Sequence, residues 1–220
     1  MHAFEINRHS GQPAYSFPSK CSAASDGHLK AQKFATEPGW PRPKGREIAG
    51  AVVGIIGLGV IGRRVAGVMA ELGAEVLATD PFRPPLGRLE GRVTYVAMPE
   101  LLTRAEIILL HCPMPTDGCP MIDAAALDSM QRGVIVVNTA RAGLLDETAL
   151  RAALDQGQVS FYATDVFTTE PPLPGGLASH PQVIATSHIG GLTDASVRRA
   201  TEIAVANLLT HLPGATDAAD

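Results

Sequence analysis

The feature that most constrains this chain is an apolar run that breaks into glycines. Residues 51–57 read AVVGIIG, and Gly57-Leu58-Gly59-Val60-Ile61-Gly62 continues from it as G-x-G-x-x-G. A continuous apolar run of this kind reads as a strand buried on both faces. Residues 62–72 then carry Val65, Met69 and Leu72 at helical spacing and end at Gly73, a residue suited to closing a helix. Strand, glycine turn and helix in this order form the opening of a βαβ unit, which commits the chain to a parallel sheet.

The rest of the sequence repeats the alternation. Strands are predicted at 74–80 (AEVLATD), 93–97, 106–112 (EIILLHC), 134–140 (VIVVNTA), 160–166 and 183–188. Helices are predicted at 99–104, at 123–130 with Asp123 as N-cap, at 146–156 and at 193–211. The last of these sets Val197, Ala200, Ile203, Ala204 and Leu208 on one face. Such alternation implies an α/β, Rossmann-type doubly wound parallel sheet with helices on both faces. Ligands of such sheets bind at the carboxyl ends of the strands, so the chemistry is expected just after residues 57, 80, 112, 140, 166 and 188.

The glycines have distinct tasks in a dinucleotide site. Gly57 permits the tight turn, Gly59 lets the backbone approach a pyrophosphate, and Gly62 allows close packing of helix on strand. The helix expected from Gly62 presents N–H groups and the positive end of its dipole to the phosphates, and Val60 and Ile61 of the turn before it are expected to line the coenzyme. Asp80 ends the next strand, 18 residues past Gly62. A carboxylate there accepts from both ribose hydroxyls and repels a 2′-phosphate, which favours NAD over NADP, with Arg83 close by. Further along, Arg141, Asp165, Glu170, His188 and the pair Gly190-Gly191 fall at the ends of three more strands, on the same expected rim.

Composition narrows the class. The 220 residues carry a net charge of −4 with no concentrated basic face, which argues against nucleic acid as a partner. No apolar run approaches a membrane span, and the start Met1-His2-Ala3-Phe4-Glu5 lacks the pattern of a secretory signal. The three cysteines make no disulfide framework and no ligand spacing, so a cytoplasmic protein without a metal site is expected. Residues 1–50 hold all four lysines, with seven basic and four acidic side chains, while the remainder is acidic. Residues 1–33 show no sustained period and are expected to be loosely packed. The dinucleotide-binding domain is expected over 34–211, with a tail at 212–220.

These motifs together resemble the D-isomer-specific 2-hydroxyacid dehydrogenases. The similarity is carried by GREIAGAVVGIIGLGVIGRRVA (45–66), ATDP (78–81), LHCP (110–113), VNTARAGLLDETAL (137–150), TDVFTTEPP (164–172) and TSHIGG (186–191). It implies NAD as coenzyme and hydride transfer between its nicotinamide and a small 2-hydroxy or 2-keto acid. It implies that Arg141 holds the substrate carboxylate and carbonyl, that Glu170 hydrogen-bonds the catalytic His188, and that His188 exchanges the proton. It also places Cys112, Pro113, Thr139 and Ala140 along the coenzyme and Asp165 near the nicotinamide, and it implies a homodimer formed through the cofactor domain.

The sequence departs from the family where Ala142 follows Arg141, where Ser187 precedes His188, and at Gly118. Only 56 residues precede Gly57, and the first 33 do not resemble the family, so most of the substrate-binding domain is expected to be missing. An NAD(H)-binding module without turnover is therefore the alternative reading.

Overall fold

The computed structural model describes residues 4–6, 13–15 and 45–211. Two three-residue strands, β1 (Phe4–Ile6) and β2 (Pro13–Tyr15), pair antiparallel with Phe4 opposite Tyr15. No element was expected there, because three residues are too few to establish a period of two. The remainder of 1–44, and the predicted tail 212–220, lie outside the described residues, and with them the expected divisions at 33 and 211.

The main sheet comprises β3 (Val52–Ile56), β4 (Glu75–Thr79), β5 (Val93–Tyr95), β6 (Ile107–Leu110), β7 (Val134–Asn138), β8 (Val159–Thr164) and β9 (Val183–Ala185). The seven strands lie in the order β5-β4-β3-β6-β7-β8-β9, and every neighbouring pair is parallel. Order reverses between β3 and β6, the topological switch point at which this architecture opens a crevice.

The apolar runs are continuous because both faces of each strand are covered. Ile107 and Leu109 of β6, and Ile135 and Val137 of β7, join one core with Val65, Ala66 and Met69 of α1 (Val60–Glu71). Their neighbours Ile108, Leu110, Val134 and Val136 join the opposite core. That core takes Leu101 and Leu102 from α2 (Met98–Arg104), Leu127 from α3 (Ala124–Ser129), and Leu150 and Leu154 from α4 (Glu147–Asp155). Asp123 caps α3 as predicted, accepting from the Ala126 N–H at 2.8 Å, and Asp146 caps α4 in the same way from Ala149 at 2.9 Å.

Three differences from the sequence expectation matter for the site. First, α1 begins at Val60 and not at Gly62, so the last glycine of the motif lies inside the first helical turn. Second, β7, β8 and β9 stop early, at Asn138, Thr164 and Ala185. Ala140, Arg141 and His188 consequently stand on loops beyond the ladder and not on strand ends. Third, α5 (Asp194–His211) forms where predicted, yet Ser196 is its one buried residue. Val197 and Leu208 of its apolar face are 50% and 60% exposed.

Candidate coenzyme and catalytic site

The β3–α1 turn is held open by glycine. Gly57 has φ +93°, and a Cβ there would lie 2.8 Å from the Cys112 N and the His111 carbonyl beyond β6. At Gly62 a Cβ would lie 2.0 Å from the Gly57 carbonyl oxygen, which is what brings α1 down onto the turn. Gly59 differs from both. A side chain there would meet nothing within 4 Å. No side chain caps α1 and no acidic residue lies in its first turn. The N–H groups of Val60, Ile61 and Gly62 have no carbonyl one turn back within the helix, and the space at Gly59, where the helix begins, is open. A dianionic pyrophosphate matches such a cradle in charge and in hydrogen bonding.

Asp80, just past β4, joins this turn. Its Oδ2 accepts from the Leu58 N–H at 2.8 Å and its Oδ1 from the Phe82 N–H at 2.9 Å. The carboxylate is tied to the glycine motif 22 residues earlier and keeps lone pairs for ribose hydroxyls. The loop beyond it is pinned from two sides. Arg63 of α1 donates to the Pro85 carbonyl and, at 2.9 Å, to that of Leu86, and the Tyr95 hydroxyl donates to Pro84 O at 2.6 Å. Arg83 lays its guanidinium over the Tyr95 ring, 5.3 Å from the centroid. Arg63 was not anticipated. A long cation in the first turn of a helix carries no local signal of which carbonyls it will reach.

After β6, burial holds the His111 imidazole neutral, with its pKa pushed down to about 4, and pushes the Cys112 thiol up. Cys112 is half-buried and lies against the Gly57 turn, while Pro113 is exposed.

On the other side of the switch point, polar side chains shape the loops. Asn138 is fully buried at the end of β7. Its Oδ1 accepts from the Ala140 N–H at 3.0 Å and its Nδ2 donates to the Arg141 carbonyl at 2.8 Å. This bends Thr139, Ala140 and Arg141 out of the ladder. The Arg141 side chain is exposed and donates to the Ala140 carbonyl at 2.6 Å. It forms no ion pair among the described residues.

Past β8, Asp165 is 2% exposed and its carboxylate accepts from Thr186 Oγ1, from the Ile189 N–H at 3.1 Å and from the Gly190 N–H at 2.8 Å. Gly190 is buried, and the Gly191 carbonyl accepts from Ser196 Oγ at 2.5 Å.

His188 and Glu170 meet at this end of the rim. His188 Nδ1 lies 3.0 Å from both Glu170 carboxylate oxygens. A carboxylate only accepts, so Nδ1 carries the proton and Nε2 is the nitrogen left for proton exchange. The Glu170 carboxyl is held below the usual carboxylate range, first by the His188 hydrogen bond and then by the Phe167 N–H at 3.2 Å. Both side chains face solvent, 53% exposed for His188 and 43% for Glu170. Of the residues singled out in the sequence, the structure thus brings together Glu170 with His188, Asp165 with Gly190, and Asp80 with the glycine turn. It draws no hydrogen bond between Arg141 and the His188–Glu170 pair. The sequence overlooked Asn138, Thr186 and Ser196. The spacing of Asn138 three residues before Arg141 was the available signal for the first, and a T-x-x-S pattern opening α5 for the last.

A parallel sheet of this order, with a glycine-built anion cradle and an acidic residue after the second strand, defines a Rossmann-type dinucleotide-binding domain. Comparison with known proteins specifies it further. Residues 21–190 match the family described as D-isomer specific 2-hydroxyacid dehydrogenase, NAD binding domain. The chain is 40% identical over 168 residues to D-3-phosphoglycerate dehydrogenase of Mycobacterium leprae (strain TN), an alignment covering 75% of this chain and 32% of that protein. Among solved structures, D-lactate dehydrogenase with NAD+ from Lactobacillus jensenii superposes with a TM-score of 0.78 at 28% identity, over 86% of this chain and 62% of that one. A glyoxylate reductase from Paecilomyes thermophila gives 0.76 at 29% identity, over 87% and 57%.

The chain therefore belongs to the D-isomer specific 2-hydroxyacid dehydrogenase family and carries its NAD-binding domain. It spans about a third of the length of the curated relatives it matches.

Proposed function

We propose that this protein reduces a 2-keto acid, or oxidises the corresponding 2-hydroxy acid, with NAD as the coenzyme. The observation that carries the proposal is the His188–Glu170 pair, 3.0 Å apart on the rim that also bears the glycine cradle. The open space at Gly59, the uncapped start of α1 and the tethered Asp80 fit NAD, whose pyrophosphate and adenosine ribose they would hold, with Cys112, Pro113, Thr139, Ala140 and Gly191 along its length. When bound, the coenzyme supplies or takes up the hydride at the substrate carbon.

The chain's own residues handle charge and proton. Arg141 turns one N–H to its own loop and has others for the substrate carboxylate and carbonyl. Glu170 keeps the proton on Nδ1, so that in reduction the His188 imidazolium gives its Nε2 proton to the carbonyl oxygen, and in the reverse direction Nε2 of the neutral ring takes the proton from the hydroxyl. The substrate is a small 2-keto or 2-hydroxy acid, since one arginine suffices for the group common to the class.

By family resemblance the protein is a homodimer paired through the cofactor domain, and its cysteine pattern, acidic balance and hydropathy fit a cytoplasmic protein without nucleic-acid or membrane partners. A monomer mass by light scattering overturns that assembly. NADH oxidation measured against a panel of 2-keto acids, with His188→Ala as control, tests the activity. A rate no higher than the control's rejects it.

The exposure of His188 and Glu170 favours a second reading, an NAD(H)-binding module without turnover, because proton transfer works best where water is excluded. NADH binding without oxidation by any keto acid selects this reading.

A further inference from the structure

Asp165 is used by the protein itself more fully than a residue reserved for a ligand. The residue is buried, and its carboxylate accepts from the Thr186 hydroxyl, the Ile189 N–H and the Gly190 N–H. All three flank His188. That histidine has φ +53°, a left-handed conformation that strains a non-glycine residue and persists only where the surroundings over-determine it. The same loop is held at its two ends by other bonds. The Thr186 N–H joins the Thr164 carbonyl at 3.0 Å, and Ser196 Oγ joins the Gly191 carbonyl at 2.5 Å. Ser187 lends the loop none of the stiffness that a proline ring gives. The restraint on His188 must come from tertiary contacts.

We propose that Asp165, acting through Thr186 and the N–H groups of Ile189 and Gly190, is the positioning residue that holds His188 in its left-handed conformation against Glu170. It acts through the loop and does not touch the reacting atoms. The idea rests on the reading of His188 as the proton-exchanging group. Its geometry can nevertheless be tested without turnover.

The test uses the full chain with 15N-labelled histidine, in alkaline buffer where the imidazoles are neutral, and His188→Gln identifies the His188 signals. In the wild type the ring shows the Nδ1-protonated tautomer, and the Ile189 and Gly190 amides exchange slowly with solvent. Thr186→Val introduces a second, Nε2-protonated population while NADH affinity stays unchanged, and Thr186→Ser restores the single tautomer. If the wild type turns over keto acids, kcat of Thr186→Val falls about tenfold or more with the KM for NADH unmoved.

Two results overturn the proposal. One is an unchanged His188 spectrum in Thr186→Val. The other is fast exchange of both amides in the wild type, which decides the matter even if the valine variant does not fold. A wild type that shows slow amide exchange and the single tautomer but no turnover removes the proposed activity and leaves the positioning role standing.

Discussion

At the β3–β4–β6 end of the rim the chain shapes its backbone by leaving side chains out, whereas at the β7–β8–β9 end it does so by burying polar ones. Gly57, Gly59 and Gly62 make a cradle whose binding groups are main-chain N–H donors. Asn138, Asp165 and Ser196, all 3% exposed or less, each tie down a loop that carries or adjoins a catalytic candidate. Under the proposed function, the contrast follows from what each end would hold. A pyrophosphate is bound by close approach of backbone, which any Cβ obstructs. A proton-transferring side chain must be aimed, and aiming a loop residue requires hydrogen bonds that are strong because they are shielded from water.

The largest effect is expected from filling the wrong glycine. Gly62→Val places a Cβ 2.0 Å from the Gly57 carbonyl oxygen, a backbone atom that cannot yield. The expected cost is about 4 kcal/mol or more, read as a loss of soluble folded protein or a large fall in Tm. Gly59→Val is the sharp control, because its Cβ meets nothing within 4 Å. Its fold and Tm are expected to hold while NADH affinity drops about tenfold or more, measured by fluorescence titration. Equal Tm losses in the two variants would erase the distinction between packing glycine and ligand glycine.

At the other end, Asn138→Ala leaves the Ala140 N–H without its acceptor in a half-buried turn. The expected loss is about 2 kcal/mol in denaturant unfolding, with NADH affinity changed less than in the Gly59 variant. A smaller effect is expected from Asp80→Ser, which removes the acceptor of the Leu58 N–H and the negative charge beside the ribose site. NADH affinity should fall about tenfold, and the preference for NADH over NADPH should shrink, in parallel titrations of the two coenzymes. An unchanged preference would mean that the tethered carboxylate does not discriminate.

The mildest effect concerns pH. The Glu170 carboxyl is held low in the folded chain by His188 and by the Phe167 N–H. Its contribution is therefore fully present above the usual carboxylate range and is lost as pH falls through its lowered value. A 13C titration of the Glu170 carboxyl should show a midpoint below that of a solvated glutamate, and His188→Gln should move it upward. Since the pair faces solvent, the accompanying change in Tm is expected to be slight.

How far the sequence could be read differs between the two ends for the same physical reason. The glycine cradle was legible because its parts are local. Gly57, Gly59 and Gly62 lie within six residues, between an apolar run and a helical period. Asp123 was legible as a cap for the same reason, as its partner lies three residues away. The ends of β7, β8 and β9 were overrun in the prediction. Val134 to Val137 is apolar and β-prone and Thr139 is β-prone as well, so the lone Asn138 between them does not by itself show that its side chain will take the place of ladder bonds. The apolar spacing of α5 correctly placed a helix, but periodicity states which residues share a face and not what that face meets, and here it meets solvent.

The sequence by itself determined the alternation of buried strands and helices, the parallel sheet that this forces, the glycine turn at the switch point and the residue types on the rim. Each follows from periodicity, propensity or steric freedom acting over a few residues. The tertiary structure decided which of those residues are partners, and of these pairings the family resemblance had implied only that of Glu170 with His188. The donors that fill Asp165 come from 21 to 25 residues downstream, across a neighbouring strand, and Glu170 reaches His188 over 18. Such pairings depend on the register of β8 against β9, with Thr164 opposite Ala185. Register is an outcome of how the whole sheet packs, and no short stretch of sequence carries it.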